Sequence, residues 1–147
     1  MRKIRTIQDV LSYAIEREIE ANSFYKKLAK SIRKPKVRTA IENFALDEYQ
    51  HKLRLEAVRE GQITLTEEDV GSIDLSGLSH NVKPEPRMTY KELLAYAIGK
   101  EDQANQFYSK LAKLCKRQDL KEMFSLLAQE EAQHKFSLEI EYDLVTF

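Results

Sequence analysis

The sequence predicts an all-α fold, a four-helix bundle made of two duplicated helical hairpins joined by a long crossover. Three observations carry this expectation. Apolar residues recur at alternating steps of three and four along four segments, the spacing of a bundle core face. Glycine and proline are scarce, four and three in 147 residues, and most of them fall between residues 61 and 86, leaving the flanking segments almost free of breakers. The third observation is repetition. "YAIEREIEANSFYKKLAK" from Tyr13 falls without a gap on "YAIGKEDQANQFYSKLAK" from Tyr96, an offset of 83 that also separates Glu18 from Glu101, Glu48 from Glu131 and His51 from His134. The chain is therefore two copies of one helical hairpin.

The first helix is expected over 6–33, opening on Thr6 with Asp9 in its first turn. Pro35 marks the turn into a second helix over 36–60. The third, over 89–116, opens on Thr89 with Glu92 three residues on, a capping box. The fourth is expected over 118–144. Hairpin one thus covers 6–60 and hairpin two 89–145, within a single domain of 1–147. The connector, 61–88, far exceeds the roughly 2–8 residues that join antiparallel helices. It reads as a crossover that makes the second and third helices parallel, with "ITLTEEDV" as an extended strip over the helices.

Charged residues make up 33% of the chain, but 24 basic and 24 acidic residues cancel, which gives no electrostatic case for nucleic acid or an anionic membrane. The single cysteine, Cys115, excludes an intramolecular disulfide and a cysteine-rich zinc site, and favours a reducing, cytoplasmic setting. "MRKIRTIQDV" lacks the apolar core of a signal peptide, and no apolar run reaches membrane-spanning length.

The core stripes run through Ile7, Leu11, Ala14, Ala21, Tyr25, Leu28 and Ile32 on the first helix and Val37, Ile41, Phe44, Leu55 and Val58 on the second. The third carries Tyr90, Leu94, Ala97, Ala104, Tyr108, Leu111 and Cys115, and the fourth Leu120, Phe124, Leu127 and Leu138. Each stripe is broken near its middle by Glu18, by Glu48 with His51, by Glu101, or by Glu131 with His134. At about 1.5 Å per residue each glutamate lies roughly 18 Å into a helix roughly 40 Å long, so the four carboxylates share one depth. Four unpaired buried carboxylates are prohibitively costly, and no lysine or arginine lies on the stripes. Two divalent cations close the count: four positive charges against four glutamates, with two neutral imidazoles completing the coordination. One Glu from each of two helices plus Glu-x-x-His from each of the other two is the ligand set of a dinuclear carboxylate bundle. Oxygen-rich ligands with imidazole suit two iron ions, with manganese as the alternative.

The motifs "AIEREIEANSFYKKLA", "FALDEYQHK", "AIGKEDQANQFYSKLA" and "LLAQEEAQHK" resemble the ferritin-like superfamily, and within it the rubrerythrin-like branch, over almost the whole chain. The resemblance implies that Glu18 and Glu101 are terminal ligands, that Glu48 and Glu131 bridge the two metals, and that His51 and His134 complete the two coordination spheres. Two departures stand out. Rubrerythrins with a rubredoxin domain use four cysteines for its iron, whereas this chain has one and ends at Phe147. They also carry an additional Glu one turn after the third-helix ligand, where this sequence has Ala104. The first departure implies an external electron donor, such as a separate rubredoxin-like protein; the second puts redox-linked iron movement and efficient peroxidase activity in doubt.

Around the site, Ala21, Ala45, Ala104 and Ala128 either leave room for water, dioxygen or peroxide or serve close helix packing. Tyr25 and Tyr108, two turns beyond the terminal glutamates, either orient a carboxylate of a facing helix or pack as core tyrosines. Asn22 and Asn105 recur four residues after the terminal ligands, touching them indirectly or merely flanking them. His80 reads as a solvated loop residue and Cys115 as a core filler. The resemblance implies a di-iron oxidoreductase that acts on peroxide or dioxygen in oxidative stress defence, as a homodimer. The alternatives are a ferroxidase that binds and stores iron, and a metal-free structural or interaction bundle.

Overall fold

The computed structural model describes residues 7–61, 84 and 87–146. Thr6, His80 and nearly all of the expected crossover lie outside the described residues. Four helices follow in order: α1 (Ile7–Lys30), α2 (Pro35–Arg59), α3 (Tyr90–Leu114) and α4 (Gln118–Thr146). They form two compact units, one holding residues 7–61 and the other 84 and 87–146. Each unit is a hairpin, α1 packed on α2 and α3 packed on α4.

In the first hairpin α1 ends at Lys30, three residues before the expected boundary. The cause is Pro35, which is not a turn residue but the opening residue of α2. Proline is at home there because its missing N–H has no intrahelical partner and its φ is already helical. It forces the preceding residue out of the helical region, and Lys34 is extended at φ −70° and ψ 116°. The amides of Ser31 and Ile32 close a tight final turn on the carbonyls of Leu28 and Ala29, each at 3.1 Å. Ile32 remains 7% exposed although it lies beyond the helix, so the apolar stripe overran the element that carries it. At the far end Gly61, at φ 86°, adopts the left-handed conformation that only glycine takes cheaply, and its amide reaches the Val58 carbonyl.

The second hairpin opens as the sequence predicts. The Thr89 hydroxyl accepts from the Glu92 amide at 3.1 Å, and the Glu92 carboxylate accepts from the Thr89 amide at 3.0 Å. That backbone bond, with the hydroxyl contact behind it, holds the Glu92 carboxyl below the usual carboxylate range. α3 ends with Cys115 as its cap, extended and buried.

The stripes are the buried faces. Leu11, Leu55, Leu94, Leu111, Leu120, Phe124, Leu127 and Leu138 are fully buried. Each such side chain is worth about 1.5–3 kcal/mol relative to exposure. Tyr25 packs edge-on against Phe24 and Phe44, and Tyr108 packs against Phe107 and Phe124. Among the described residues, no helix is long and apolar enough to cross a membrane.

One buried carboxylate escaped the sequence reading. Glu141, 8% exposed, lies one step of three beyond Leu138 on the α4 stripe and faces Tyr90, the first residue of α3. Burial, then the nearby Glu141 charge, push the Tyr90 hydroxyl up to about 12 from 10.0. The folded chain therefore keeps this proton between about pH 10 and 12 while the unfolded chain sheds it. The resulting stability is fully present below pH 10 and is lost as pH rises through the folded value. Denaturation of wild type and Tyr90→Phe across that window is expected to show a steeper decline for the wild type. Parallel curves would refute the coupling.

Candidate metal centre

All six predicted ligands are buried, between 1 and 4% exposed. The two hairpins hold three each, in matching geometry. In the first, α1 supplies Glu18 and α2 supplies Glu48 and His51, which share a face because they lie one turn apart. His51 Nδ1 sits 3.2 Å from Glu18 Oε2 and 3.6 Å from Glu48 Oε1. In the second, α3 supplies Glu101 and α4 supplies Glu131 and His134. His134 Nδ1 sits 3.5 Å from Glu101 Oε1 and 3.8 Å from Glu131 Oε1. Nδ1 is the nitrogen turned to the carboxylates in both.

Within each trio, one ligand atom from every residue lies within 4.8 Å of the others. Ligands on opposite sides of an ion with bonds of about 2.0–2.3 Å are at most about 4.6 Å apart, so a trio of this size encloses one ion with little rearrangement. The charges agree as well: two carboxylates and a neutral imidazole balance one divalent cation. Oxygen and nitrogen donors without thiolate exclude a soft-metal preference. The residues present fit a metal site in each hairpin. Next in sequence to the terminal glutamates, the Arg17 guanidinium lies 6.0 Å from the Tyr13 ring centre, and the Lys100 ammonium 5.5 Å from that of Tyr96.

The surroundings answer one sequence question. The Asn22 amide donates to the Ala45 carbonyl at 2.7 Å, and the Asn105 amide donates to the Ala128 carbonyl at 2.8 Å. The asparagines are thus ties between the two helices of each hairpin, each worth about 1 kcal/mol. Ala45 and Ala128 are buried, and their small side chains admit the approaching amide. The Tyr25 and Tyr108 rings are buried in aromatic clusters on the same stripes as the terminal glutamates. Ala21 and Ala104 are half-buried.

No curated protein matches the chain. A solved structure, a hypothetical protein from Pyrococcus furiosus, superposes with a TM-score of 0.76 at 25% identity, covering 96% of this chain and 90% of that one. The expected fold class is the one found, an all-α four-helix bundle of the ferritin-like kind. The family model described as Rubrerythrin matches residues 9–71 and 92–143, a span that includes both trios. The chain belongs to the rubrerythrin family.

Proposed function

We propose that the two trios together hold a di-iron centre and that the protein is an oxidoreductase reducing peroxide or dioxygen with electrons from an external donor. The observation that carries this reading is the duplicated Glu–Glu–His geometry, buried in both hairpins with Nδ1 facing the carboxylates. In it Glu18 and Glu101 are terminal ligands, Glu48 and Glu131 bridge, and His51 and His134 complete the two spheres. Iron bound there supplies one electron per ion, two in all, which matches the two-electron reduction of peroxide to water. The chain's own residues do the rest. Burial excludes bulk water, the glutamates hold charge where it is needed, and the Tyr25 and Tyr108 hydroxyls orient carboxylates. The same reading takes the protein as a cytoplasmic homodimer served by a rubredoxin-like donor.

The test is anaerobic Fe(II) titration followed by separate pulses of peroxide and dioxygen in a stopped-flow instrument. Peroxide is expected to oxidise the loaded protein faster. Dioxygen as the clearly faster oxidant would replace this reading with that of a ferroxidase. A freshly purified protein that holds no metal and takes none up would leave the structural bundle.

A further inference from the structure

We propose that Asn22 and Asn105 are positioning residues that set the register of the two helices of each hairpin at the level of the ligands, and thereby the affinity of the metal site in that hairpin. The inference rests on the metal reading above but concerns residues that reading does not use.

Asn22 lies one turn beyond Glu18 on α1, and Ala45 lies one turn before Glu48 on α2. Because the helices of a hairpin run in opposite directions, both displacements bring the tie to the same level beside the two carboxylates. Asn105 and Ala128 repeat the relation to Glu101 and Glu131. The acceptor in each case is a mid-helix backbone carbonyl, which already serves its own helix and has a second lone pair to offer. A bond to backbone fixes the position of a helix, whereas a bond to a long side chain fixes only that side chain.

The consequence is geometric. Sliding one helix past the other by a single residue moves it about 1.5 Å. His51 Nδ1 and Glu18 Oε2, on different helices, stand 3.2 Å apart, so a slip of that size spoils a coordination sphere. The tie recurs at 2.7 and 2.8 Å in the two hairpins, although the residues just before each asparagine are Glu20 and Ala21 in one and Gln103 and Ala104 in the other.

Co(II) serves as the probe, read by its visible absorption and by competition with a chromophoric chelator. Asn22→Ala and Asn105→Ala remove the donor; Asn22→Leu and Asn105→Leu remove it while filling the same space. Circular dichroism confirms folding of each. Each single variant is expected to bind the ion of its own hairpin at least tenfold more weakly, to weaken the other ion less, and to shift the absorption of the weakened site. The rise in melting temperature on Co(II) loading should shrink accordingly. Asn22→Gln and Asn105→Gln, which keep the amide, should recover part of the loss. A purely structural role would lower the melting temperature of metal-free and loaded protein equally, with affinities unchanged. That result, in either donor-free series that folds, overturns the proposal. Wild-type protein that binds no Co(II) overturns the metal reading and this proposal with it; wild-type binding with indifferent variants overturns this proposal alone.

Discussion

Anaerobic loading with Fe(II) is expected to raise the thermal midpoint of the metal-free protein by about 8–16 °C for each ion bound. The figure follows from linkage: one site at a thousandfold excess of ligand over its dissociation constant contributes about 4 kcal/mol, and about 1 kcal/mol moves the midpoint of a domain of this size by about 2–4 °C. The physical source is the burial of Glu18, Glu48, His51, Glu101, Glu131 and His134. Without a cation, folding strips water from two carboxylates in each hairpin, and the metal returns that lost solvation as coordination. Elemental analysis of the loaded protein should give two ions per chain. One ion or fewer, or a midpoint that does not move, would remove the dinuclear reading.

The second large effect separates the glutamates by role. Glu48→Ala and Glu131→Ala are each expected to abolish the paired site, while Glu18→Ala and Glu101→Ala each weaken one ion and leave the other. A bridging carboxylate holds both cations and offsets their mutual repulsion, so its loss releases both; a terminal carboxylate serves only its own ion. Spectroscopic titration of the four variants with Fe(II) under anaerobic conditions measures the number of ions retained. Four variants that all keep two ions and the wild-type spectrum would refute the role assignment.

The six ligands were legible because a charge on a core stripe breaks a simple pattern, and the break recurs at an offset of 83. Glu141 continues the same pattern one step beyond Leu138 but has no duplicated signal, since the residue 83 positions earlier is Val58. Its partner Tyr90 stands at the head of the α3 stripe. The asparagine ties were not legible. Periodicity gives the direction of a side chain around its own helix, but not the distance to the next helix or the register between them. The end of α1 was misplaced for a related reason, since Ile32 is buried as a stripe residue without being helical. Pro35 suggests a turn in sequence but opens α2, since a proline at the first helical position is favourable and its restriction falls on the residue before it.

Each Glu–Glu–His trio, its asparagine tie and its aromatic cluster are completed inside one hairpin. Heredity can therefore work on this molecule in halves. Within one chain each copy is free to differ from the other, and the difference is visible. Asp102 in α3 holds the ammonium of Lys135 at 2.9 Å beside the second trio. Its counterpart in the first copy is Ile19, 47% exposed, and the lysine matching Lys135 is Lys52, which turns to Glu56 of its own helix at 3.5 Å. The twins have become siblings, and two ions held by unequal siblings would fill in a fixed order.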